Sequence, residues 1–427
     1  MTHTAGRFSA HFLSGSTVAA GPESQQEVPL RRDVCLLHGL WIGLVVSALS
    51  AGSASAQVTP AAGYTPPDDT PVIRVGMTLF PTYTFQTDPK ITDADGSSFS
   101  KNAFDVARSY INVTGNVSHI VAFRITPDIT RESGLFNAAT GATITSDSLV
   151  FRIKYAYGQF NLDDWMTRGS WARVGIQQTP WVDFEEGIYR YRFQGTVFAE
   201  RIPLPTAMTS SDAGASFHYN FPSNYGDIHV GVYNGENYQR VEVNDQKALE
   251  LRGTVRPFAT STGMPVLRGL RAHLVYYNDH YAGKDERRRA MGNVTFEHQY
   301  LNAGFDYLGT KDQTLATATD VSSNGYSVWA TPRLPRATGA SWEGLLRYDH
   351  WTPNTSTALA PAATSPDATT TLKSQHQNRL IAGIAYWFPH PGGAPTAALL
   401  VDYDGQIFKN ITTAPTKSIV VHGLINF

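Results

Sequence analysis

The chain ends with Ser418-Ile-Val-Val-His-Gly-Leu-Ile-Asn-Phe427. Successive side chains of an extended strand point to opposite faces, so this stretch has two different sides. The polar side holds Ser418, His422 and Asn426. The other side is apolar or small throughout and comprises Ile419, Val421, Gly423, Ile425 and Phe427. The pattern predicts an amphipathic strand closed by an aromatic residue, and in a membrane its apolar side would face lipid.

The N-terminal region predicts export. Arg31-Arg32 precedes the apolar run 34–49, which is followed by Ala54-Ser55-Ala56, the small-x-small pattern of a signal-peptidase site. We expect cleavage before Gln57. Arg31-Arg32-Asp33-Val34 matches the twin-arginine motif poorly, which favours the ordinary secretory route. The thirty residues before Arg31 are long for an n-region and are consistent with a start assigned too far upstream.

Composition narrows the class of the exported part. Cys35 is the only cysteine and lies in the segment to be removed, so the mature chain is expected to have no disulfide, thiol nucleophile or cysteine metal ligand. It contains no second apolar run of about eighteen or more residues, which excludes a further transmembrane helix. Lys+Arg 34 against Asp+Glu 36 gives no global field and no indication of nucleic-acid binding.

A membrane protein without spanning helices is expected to be a barrel. Only helices and closed barrels satisfy every backbone group in hydrocarbon. Barrel strands bury only alternate residues in lipid, so a mean hydropathy of −0.23 together with 11% aromatic residues fits this class. A secreted β-sandwich also alternates and is the competing interpretation.

Alternation recurs in sixteen segments, an even number as bacterial barrels require. In the fourth segment we expect Tyr155 and Tyr157 on the apolar side with Phe151, opposite Arg152 and Lys154. The segments are 73–85, 104–115, 120–127, 149–158, 171–179, 213–221, 227–234, 249–256, 270–278, 289–298, 303–308, 326–334, 342–351, 379–388, 397–408 and 417–427.

The connections alternate in length. The even-numbered connections are short and rich in Pro, Gly, Asn and Ser, as tight turns demand. Long outer loops and short inner turns are typical of outer-membrane barrels, whereas a sandwich has no reason to alternate. The odd-numbered connections are mostly long: 86–103, 128–148, 180–212, 235–246, 309–325 and 352–378, with 279–288 as the short exception.

The predicted fold class is therefore all-β, a transmembrane antiparallel β-barrel of about sixteen strands. We expect three regions: an N-terminal extension and cleaved signal peptide over 1–56, a short periplasmic segment over 57–70, and the barrel over 71–427. This organisation predicts the outer membrane of a Gram-negative-type bacterium as the location.

Several stretches resemble a known family: Phe104-Asp-Val-Ala-Arg-Ser-Tyr-Ile-Asn-Val-Thr-Gly115, Val174-Gly-Ile-Gln-Gln-Thr-Pro-Trp181 leading to Glu200-Arg201, Ala382-Gly-Ile-Ala-Tyr-Trp387, and the closing strand. They are similar to the phosphate-selective porin O and P superfamily of sixteen-stranded, usually trimeric porins. The resemblance implies a homotrimer that forms a passive channel for small, often anionic solutes.

Particular residues extend or limit that resemblance. Arg108 falls where the family pattern carries a lumen arginine, whereas Tyr110 and Gln178 replace basic residues usual in the family, which bears on phosphate selectivity. The terminal Phe427 resembles the signal by which the barrel-assembly machinery recognises its substrates, and we expect it to act as an assembly signal.

The third outer connection, 180–212, is the longest. Its aromatic residues and its charges of both signs suit a loop packed against a polar inner wall. In general porins this loop folds into the lumen and narrows it, and a loop ordered by packing alone is the alternative. The residues expected to form the constriction are Glu185, Glu186, Arg190, Arg192 and Arg201.

Basic residues of inward parity predict the channel lining. Arginine suits this role because its weakly hydrated fork exchanges hydrogen bonds with a passing carboxylate or phosphate. The alternative is that these cations only pair with Glu250, Glu343, Asp349 and Asp402. The run 284–289 is expected to face lipopolysaccharide phosphates or bulk water. The predicted lining residues are Arg108, Arg124, Arg152, Lys154, Arg173, Arg252, Arg271 and Arg347.

Two other functional classes compete with a water-filled channel through the lipid bilayer. An outer-membrane hydrolase is disfavoured because the sequence contains no Gly-x-Ser-x-Gly, no His-Glu-x-x-His and no other metal-ligand spacing, and no cofactor is expected. An adhesive or structural barrel without a selective pore is disfavoured by the sixteen-strand circumference, because barrels of that size leave an aqueous channel unless they are plugged.

Overall fold

The computed structural model describes residues 69–131, 135–137, 142–144, 148–201, 207–242, 244–280, 286–313, 320–335, 341–389 and 396–427. The predicted signal peptide, Cys35 and nearly all of the 57–70 segment lie outside the described residues. Among the residues described, no helix is long and apolar enough to cross a membrane.

Sixteen antiparallel strands form one closed barrel, in which each strand pairs with its sequence neighbours and the first also pairs with the last. This confirms the predicted fold class, and each strand overlaps its predicted segment. The strands are β1 (Val72–Asp88), β2 (Asn102–Asn116), β3 (Val121–Arg131), β4 (Leu149–Asn161), β5 (Trp171–Gln178), β6 (Ser211–Asn220), β7 (Gly226–Tyr233), β8 (Ala248–Val255), β9 (Leu270–His280), β10 (Glu286–His298), β11 (Leu301–Gln313), β12 (Asp320–Pro335), β13 (Ser341–Thr352), β14 (His376–Trp387), β15 (Ala397–Lys409) and β16 (Thr416–Asn426).

Several strands are longer than predicted, chiefly at their outer ends. β11 begins two residues before its predicted segment and ends five residues after it, and it carries Lys311 and Asp312 beyond the apolar alternation. The backbone ladder continues there because hydrogen bonding does not depend on side-chain polarity. The alternation therefore locates the lipid-facing part of a strand better than its full length.

The outer surface of the barrel is a continuous apolar belt. Phe104 on β2 is 84% exposed, and Leu274 on β9 is 73% exposed. Large apolar side chains are exposed on strands all around the barrel, for example Phe305, Leu346 and Ile384. Monomeric soluble proteins rarely expose contiguous apolar patches of this extent, so the belt faces lipid and the strands span a membrane.

The register shifts at three places in the barrel: one lies between Gln86 and Asp88 in the β1/β16 pair, and the other two lie beside prolines. The β1/β2 register shifts between Phe80 and Pro81, and the β3/β4 register shifts between Thr126 and Pro127. Proline cannot donate to the ladder, and bulges are places where it is tolerated. The shift beside Pro127 leaves Lys154 without a register partner on β3.

The bulge beside Pro127 corrects one sequence-based expectation. The outward placement of Tyr155 and Tyr157 was wrong, since they are only 3% and 8% exposed and lie on the lumen side. The extra residue at Lys154 exchanges the two faces, and the Tyr155 hydroxyl donates to Asp183 of the in-folded loop at 3.1 Å. A one-residue slip reverses every following side chain.

The longest connections lie on the outer side, as predicted. The outer connection predicted over 309–325 was wrong in length, because β11 and β12 extend into it and leave only 314–319. Two of the outer connections contain short two-stranded hairpins, at 91–92 with 98–99 and at 135–137 with 142–144. The longest, residues 179–210, is called the lumen loop below; it contains helix α1 (Val182–Tyr189) and the single turn α2 (Phe198–Arg201).

The chain terminus completes the barrel. The Met77 amide donates to the Phe427 carbonyl at 2.8 Å, and the Phe427 amide donates to the Met77 carbonyl at 3.1 Å. A methyl group placed on Gly76 would lie 2.6 Å from that carbonyl oxygen of Phe427. The seam between β1 and β16 therefore has room only for glycine at position 76.

We expect Gly76→Ala to destabilise the closed barrel by about 1–3 kcal/mol, because overpacking against backbone forces the seam apart. The measurement is the denaturant midpoint of the heat-modifiable folded form in detergent. Gly253→Ala on β8 is the matched control, since nothing lies within 4 Å of an added methyl group there. Equal midpoints for the two variants would contradict the steric account of the seam.

Candidate functional site

The lumen loop leaves the outer end of β5 and crosses the inside of the barrel. The Asn302 side-chain amide donates to the carbonyl of Ile188 at 2.8 Å, and the Trp329 indole N–H donates to Glu185 at 3.3 Å. Asn302 is the second residue of β11, close to the inner turn between β10 and β11. The end of α1 therefore lies near the periplasmic end of the lumen, which confirms the predicted in-folding.

The tip of the lumen loop is held by one buried carboxylate. Helix α1 ends at Arg190, whose left-handed backbone (φ 67°) turns the chain, and whose amide donates to the carbonyl of Glu186 at 2.8 Å. Its guanidinium lies 3.2 Å from Glu343 on β13, and the Tyr191 hydroxyl donates to the same carboxylate at 3.2 Å. Arg333 on β12 reaches Glu343 at 3.7 Å.

The returning half of the loop is fixed at further points of the wall. Arg347 donates to the carbonyl of Thr196 at 2.8 Å, and Arg289 donates to the carbonyl of Ala207 at 2.9 Å. Arg201 lies 3.7 Å from Asp404 on β15. Aromatic side chains bury the rest of the contact: Trp181, Tyr189, Tyr191, Phe193 and Phe198. The returning half of the lumen loop is therefore packed against the wall from β10 to β15.

This packing divides the predicted lining residues into two groups. Arg108, Arg124 and Arg152, on β2, β3 and β4, keep accessible surface, with side-chain exposures of 24% for Arg108 and 25% for Arg152. The others have inward parity but are buried in this structure: Lys154, Arg173, Arg252, Arg271 and Arg347.

The buried cations are matched mainly by carboxylates on their own or a neighbouring strand. Arg347 binds Asp349 through two hydrogen bonds of 2.8 Å, as the sequence suggested. Arg252 pairs with Asp227, and Arg271 pairs with Glu297, rather than with Glu250 or Asp402. Asp227 and Glu297 lie on the strands adjacent to those of their cations. These two pairings are therefore set by the strand register and not by residue type.

Arg108 and Arg152 share a single carboxylate. Asp128 on β3 is 0% exposed and accepts from Arg108 at 2.8 Å and from Arg152 at 2.9 Å. The hydroxyl of Tyr238, in the connection after β7, also lies within 3.4 Å of that oxygen. One negative charge thus compensates two positive charges. The sequence pattern did not single out Asp128, although β3 places it opposite Arg152 in register.

Arg124 has only neutral partners. Its guanidinium donates to Thr126 and to Asn112, each at 3.0 Å, and lies 4.5 Å from the ring centroid of Tyr155. No carboxylate forms an ion pair with it in the described part of the chain. Lys154 lies 5.2 Å from the rings of both Tyr110 and Tyr155. We call Arg108, Arg124, Arg152 and Lys154 the basic cluster.

The lumen loop carries charges of both signs close to the basic cluster. Arg192 lies 2.8 Å from Glu186. Burial raises the pKa of Glu186 to about 7, although Arg192 acts in the opposite direction. Burial would also raise the pKa of Glu200, but Arg192 and Lys154 hold it below the usual range. With Asp183, this loop face supplies three carboxylates against one arginine.

The local charge balance follows from these contacts. The basic cluster and Arg192 supply five positive charges, and Asp128, Asp183, Glu186 and Glu200 supply four negative charges when all are ionised. The surplus is one positive charge. Arg124 and Lys154 form no ion pair in the described residues, and of these two only Arg124 keeps accessible surface. In the described residues, no group of three His, Cys, Asp or Glu side chains could hold a metal ion.

A closed sixteen-stranded membrane barrel with its third outer loop folded inward defines the porin type of fold. No family model matches this chain, and no curated protein matches it in sequence. Among solved structures, it is similar to an anion-selective porin from Comamonas acidovorans, with a TM-score of 0.53 and 10% identity over 84% of this chain and 100% of that chain.

Two further structures show the same likeness. The outer-membrane channel DcaP of Acinetobacter baumannii has a TM-score of 0.51 and 11% identity, covering 86% of this chain and 100% of that one. Salmonella typhi OmpF, in complex with daunomycin, has a TM-score of 0.51 and 10% identity, covering 83% and 97%. At these identities the likeness establishes the fold of outer-membrane porins. The narrower resemblance to the phosphate-selective O and P superfamily stays a prediction.

We expect Glu343→Ala to release the tip of the lumen loop, because it leaves Arg190 and Arg333 without their carboxylate; removing one partner of a buried pair costs roughly 3–5 kcal/mol, less where a partner is partly exposed. Trypsin cleavage after Arg190 or Arg192 in the folded barrel, mapped by mass spectrometry, measures the release. Glu286→Ala, at the rim of β10, is the control. Equal protection in both variants would show that aromatic packing alone holds the loop.

Proposed function

We propose that this protein is a passive outer-membrane channel for small hydrophilic solutes with a weak preference for anions. Sixteen strands enclose a lumen wide enough for an aqueous path unless it is plugged. The wall formed by β2 to β4 keeps accessible polar surface, whereas the lumen loop covers the wall from β10 to β15. The path proposed here therefore runs between the basic cluster and the lumen loop.

The observation that carries the anion preference is Arg124. It is partly exposed in the lumen and bound only to neutral groups, so its charge is not cancelled by a carboxylate. A low-dielectric wall focuses the field of such a charge on the solute path. Because the surplus around it is one charge, the preference is expected to be weak and to fade with salt.

The remaining expectations extend this proposal. We infer that the chain is exported through its signal peptide, assembles through the barrel-assembly machinery with Phe427 as the assembly signal, and forms a homotrimer in contact with lipopolysaccharide. We also infer that phosphate could be a preferred solute of the channel. No catalytic step or cofactor is part of the proposal.

A structural or adhesive barrel without a selective pore is the second candidate. The observation that favours it is the near-complete burial of Phe80, Tyr110 and Tyr155 on the same side of the lumen as Arg124. Single-channel recording in planar bilayers separates the two. Discrete conductance steps support the channel, and a folded barrel that never conducts supports the filled lumen.

We expect Arg124→Gln to lower the anion-to-cation permeability ratio up to about fivefold, since a charge near the path in a water-like dielectric is worth about 1 kcal/mol. The reversal potential in asymmetric KCl measures the change. Arg124 is preferable to Arg108 and Arg152 together, whose removal would orphan Asp128. Arg288→Gln, on the outer rim, is the control. An unchanged reversal potential would place the selectivity elsewhere.

The preference should also depend on pH. With its pKa raised to about 7, Glu186 is largely neutral at pH 6 and largely ionised at pH 8. Protonation removes a negative charge beside the basic cluster, so anion preference should rise as pH falls through this range. Reversal potentials at both pH values test this, with Glu186→Gln expected to be flat and Glu286→Gln to behave as wild type. A pH-independent wild type would refute it.

A further inference from the structure

The outward face of β12 to β15 carries an ordered set of polar residues at its outer end. The register places Thr352, His376 and Lys409 in one row across β13, β14 and β15. The next row towards the membrane centre holds Tyr326, His350, Asn378 and Ile407 across β12 to β15. The row below it is mainly apolar and holds Val328, Tyr348, Leu380 and Gly405.

The rows pass from apolar at Leu380 to cationic at His376, four residues along β14. Such a gradient marks the level where hydrocarbon gives way to headgroups, at which tyrosine is enriched. The opposite ends of the same strands show no such gradient, since their outward residues include Leu334, Trp342 and Leu399. The polar set is therefore specific to the outer rim. We call Tyr326, His350, His376, Asn378 and Lys409 the outer-rim patch.

Hydrogen bonds orient both histidines. His350 Nδ1 lies 2.7 Å from the Asn378 side-chain oxygen, which also accepts from the Tyr348 hydroxyl at 3.1 Å. Because that oxygen is an acceptor, Nδ1 of His350 carries the proton and Nε2 is left for another group. His376 Nδ1 lies 3.1 Å from Thr352 Oγ1. The two imidazole rings are 4.7 Å apart, and His350 stacks on Tyr326 at 5.2 Å.

The charges around the outer-rim patch favour an anion. Lys409 is exposed, lies opposite His376 in register and forms no ion pair within the described ranges. By contrast, the outward-facing rim residues Arg288, Lys311 and Lys417 pair with Glu286, Asp320 and Asp88. Lys373, in the turn before β14, adds another cation close in sequence.

Apart from Asp320 at the outer end of β12, which pairs with Lys311, the carboxylates of these strands lie on the other face. Asp349 binds Arg347, and Asp404 binds Arg379 and Arg201, all inside the barrel. The remaining titratable groups on the outward side of these strands are the phenols of Tyr326, Tyr348, Tyr386 and Tyr403. Protonated histidines in the outer-rim patch thus have no carboxylate partner in the described residues.

We propose that the outer-rim patch binds a phosphate group of an outer-leaflet glycolipid. Protonated Nε2 atoms of His350 and His376 and the ammonium of Lys409 donate to the phosphate, while the aromatic and apolar rows below contact the acyl region. The site is independent of the lumen and of the solute that passes through it. It makes lipid contact at this side of the barrel stronger in mildly acidic surroundings, because histidine gains its proton there.

The position of the patch distinguishes a lipid from other ligands. A metal ion would find two imidazoles but no third protein ligand, and Lys409 would repel it. A free phosphate would gain nothing from the apolar rows beneath. A phosphorylated lipid satisfies both the cationic row and the apolar rows at once, at the depth where its headgroup lies.

Native mass spectrometry of the detergent-solubilised folded barrel tests the proposal with two probes, lipid A and dephosphorylated lipid A, at pH 6 and pH 8. Wild type should bind lipid A more tightly than the dephosphorylated form, and more tightly at pH 6. His350→Gln with His376→Gln should weaken binding at pH 6 by roughly 25-fold, taking about fivefold for each of the two cations near an anionic headgroup. Lys409→Gln should weaken it at both pH values.

The controls separate a specific site from general effects. His298→Gln removes an outward-facing histidine at the inner end of β10, where it stacks near Phe296 and Tyr300, and should bind as wild type. His376→Lys should bind at pH 8 as well as at pH 6. Heat-modifiable mobility confirms folding of each variant.

Three results would overturn the proposal. The first is equal binding of phosphorylated and dephosphorylated lipid A. The second is wild-type binding by the double histidine variant, or an equal loss in His298→Gln. The third is displacement of the lipid by inorganic phosphate alone with the same pH dependence, which would make the patch a small-anion site.

Discussion

Closure of the backbone ladder is the constraint on which the rest of this structure depends. In hydrocarbon an unpaired N–H or C=O has no water to bind, so a sheet that spans the membrane must join its own first and last strands. Here the seam ends with a reciprocal pair of hydrogen bonds between Met77 and Phe427, and Gly76 leaves the space that this pair requires. Once the ladder is closed, each strand has only two environments. Lipid selects the apolar outer residues, and the interior is free to hold charges at high density.

That freedom explains how the lumen loop is held. A loop of this length would be mobile in water, but inside the barrel it meets an array of fixed donors and acceptors. At the tip of the loop, the Glu343 carboxylate pairs with Arg190 and accepts a hydrogen bond from Tyr191. Arg347 donates to the backbone carbonyl of Thr196. Each contact joins a charge to a partner in a region of low dielectric, where an orphaned partner is costly. The loop is therefore fixed inside the barrel at many points of the wall.

The sequence predicted the barrel well because lipid imposes a period of two on each strand, and that period is local. All sixteen strands and the in-folded loop follow from alternation and connection length. The interior depended on information that is not local. The bulge at Pro127 reverses the two faces of β4, so Tyr155 enters the lumen although simple alternation points it outward. The sharing of Asp128 by Arg108 and Arg152 likewise arises from register across three strands, which composition does not encode.

The same geometry changes what the basic residues mean for selectivity. Eight inward cations suggest a strongly positive channel, but a cation that is buried and paired contributes little field to the solute path. The lumen loop covers Arg252 and Arg347, and a carboxylate compensates the charge of each. The surplus of positive charge therefore lies on the wall of β2 to β4. There it reduces to one charge. The accessible cation without an ion pair is Arg124, whose neighbours Thr126 and Asn112 fix its position without neutralising it. The anion preference proposed above therefore rests on pairing rather than on composition, because the near-balance of Lys+Arg 34 and Asp+Glu 36 leaves a local excess of charge only where a partner is missing.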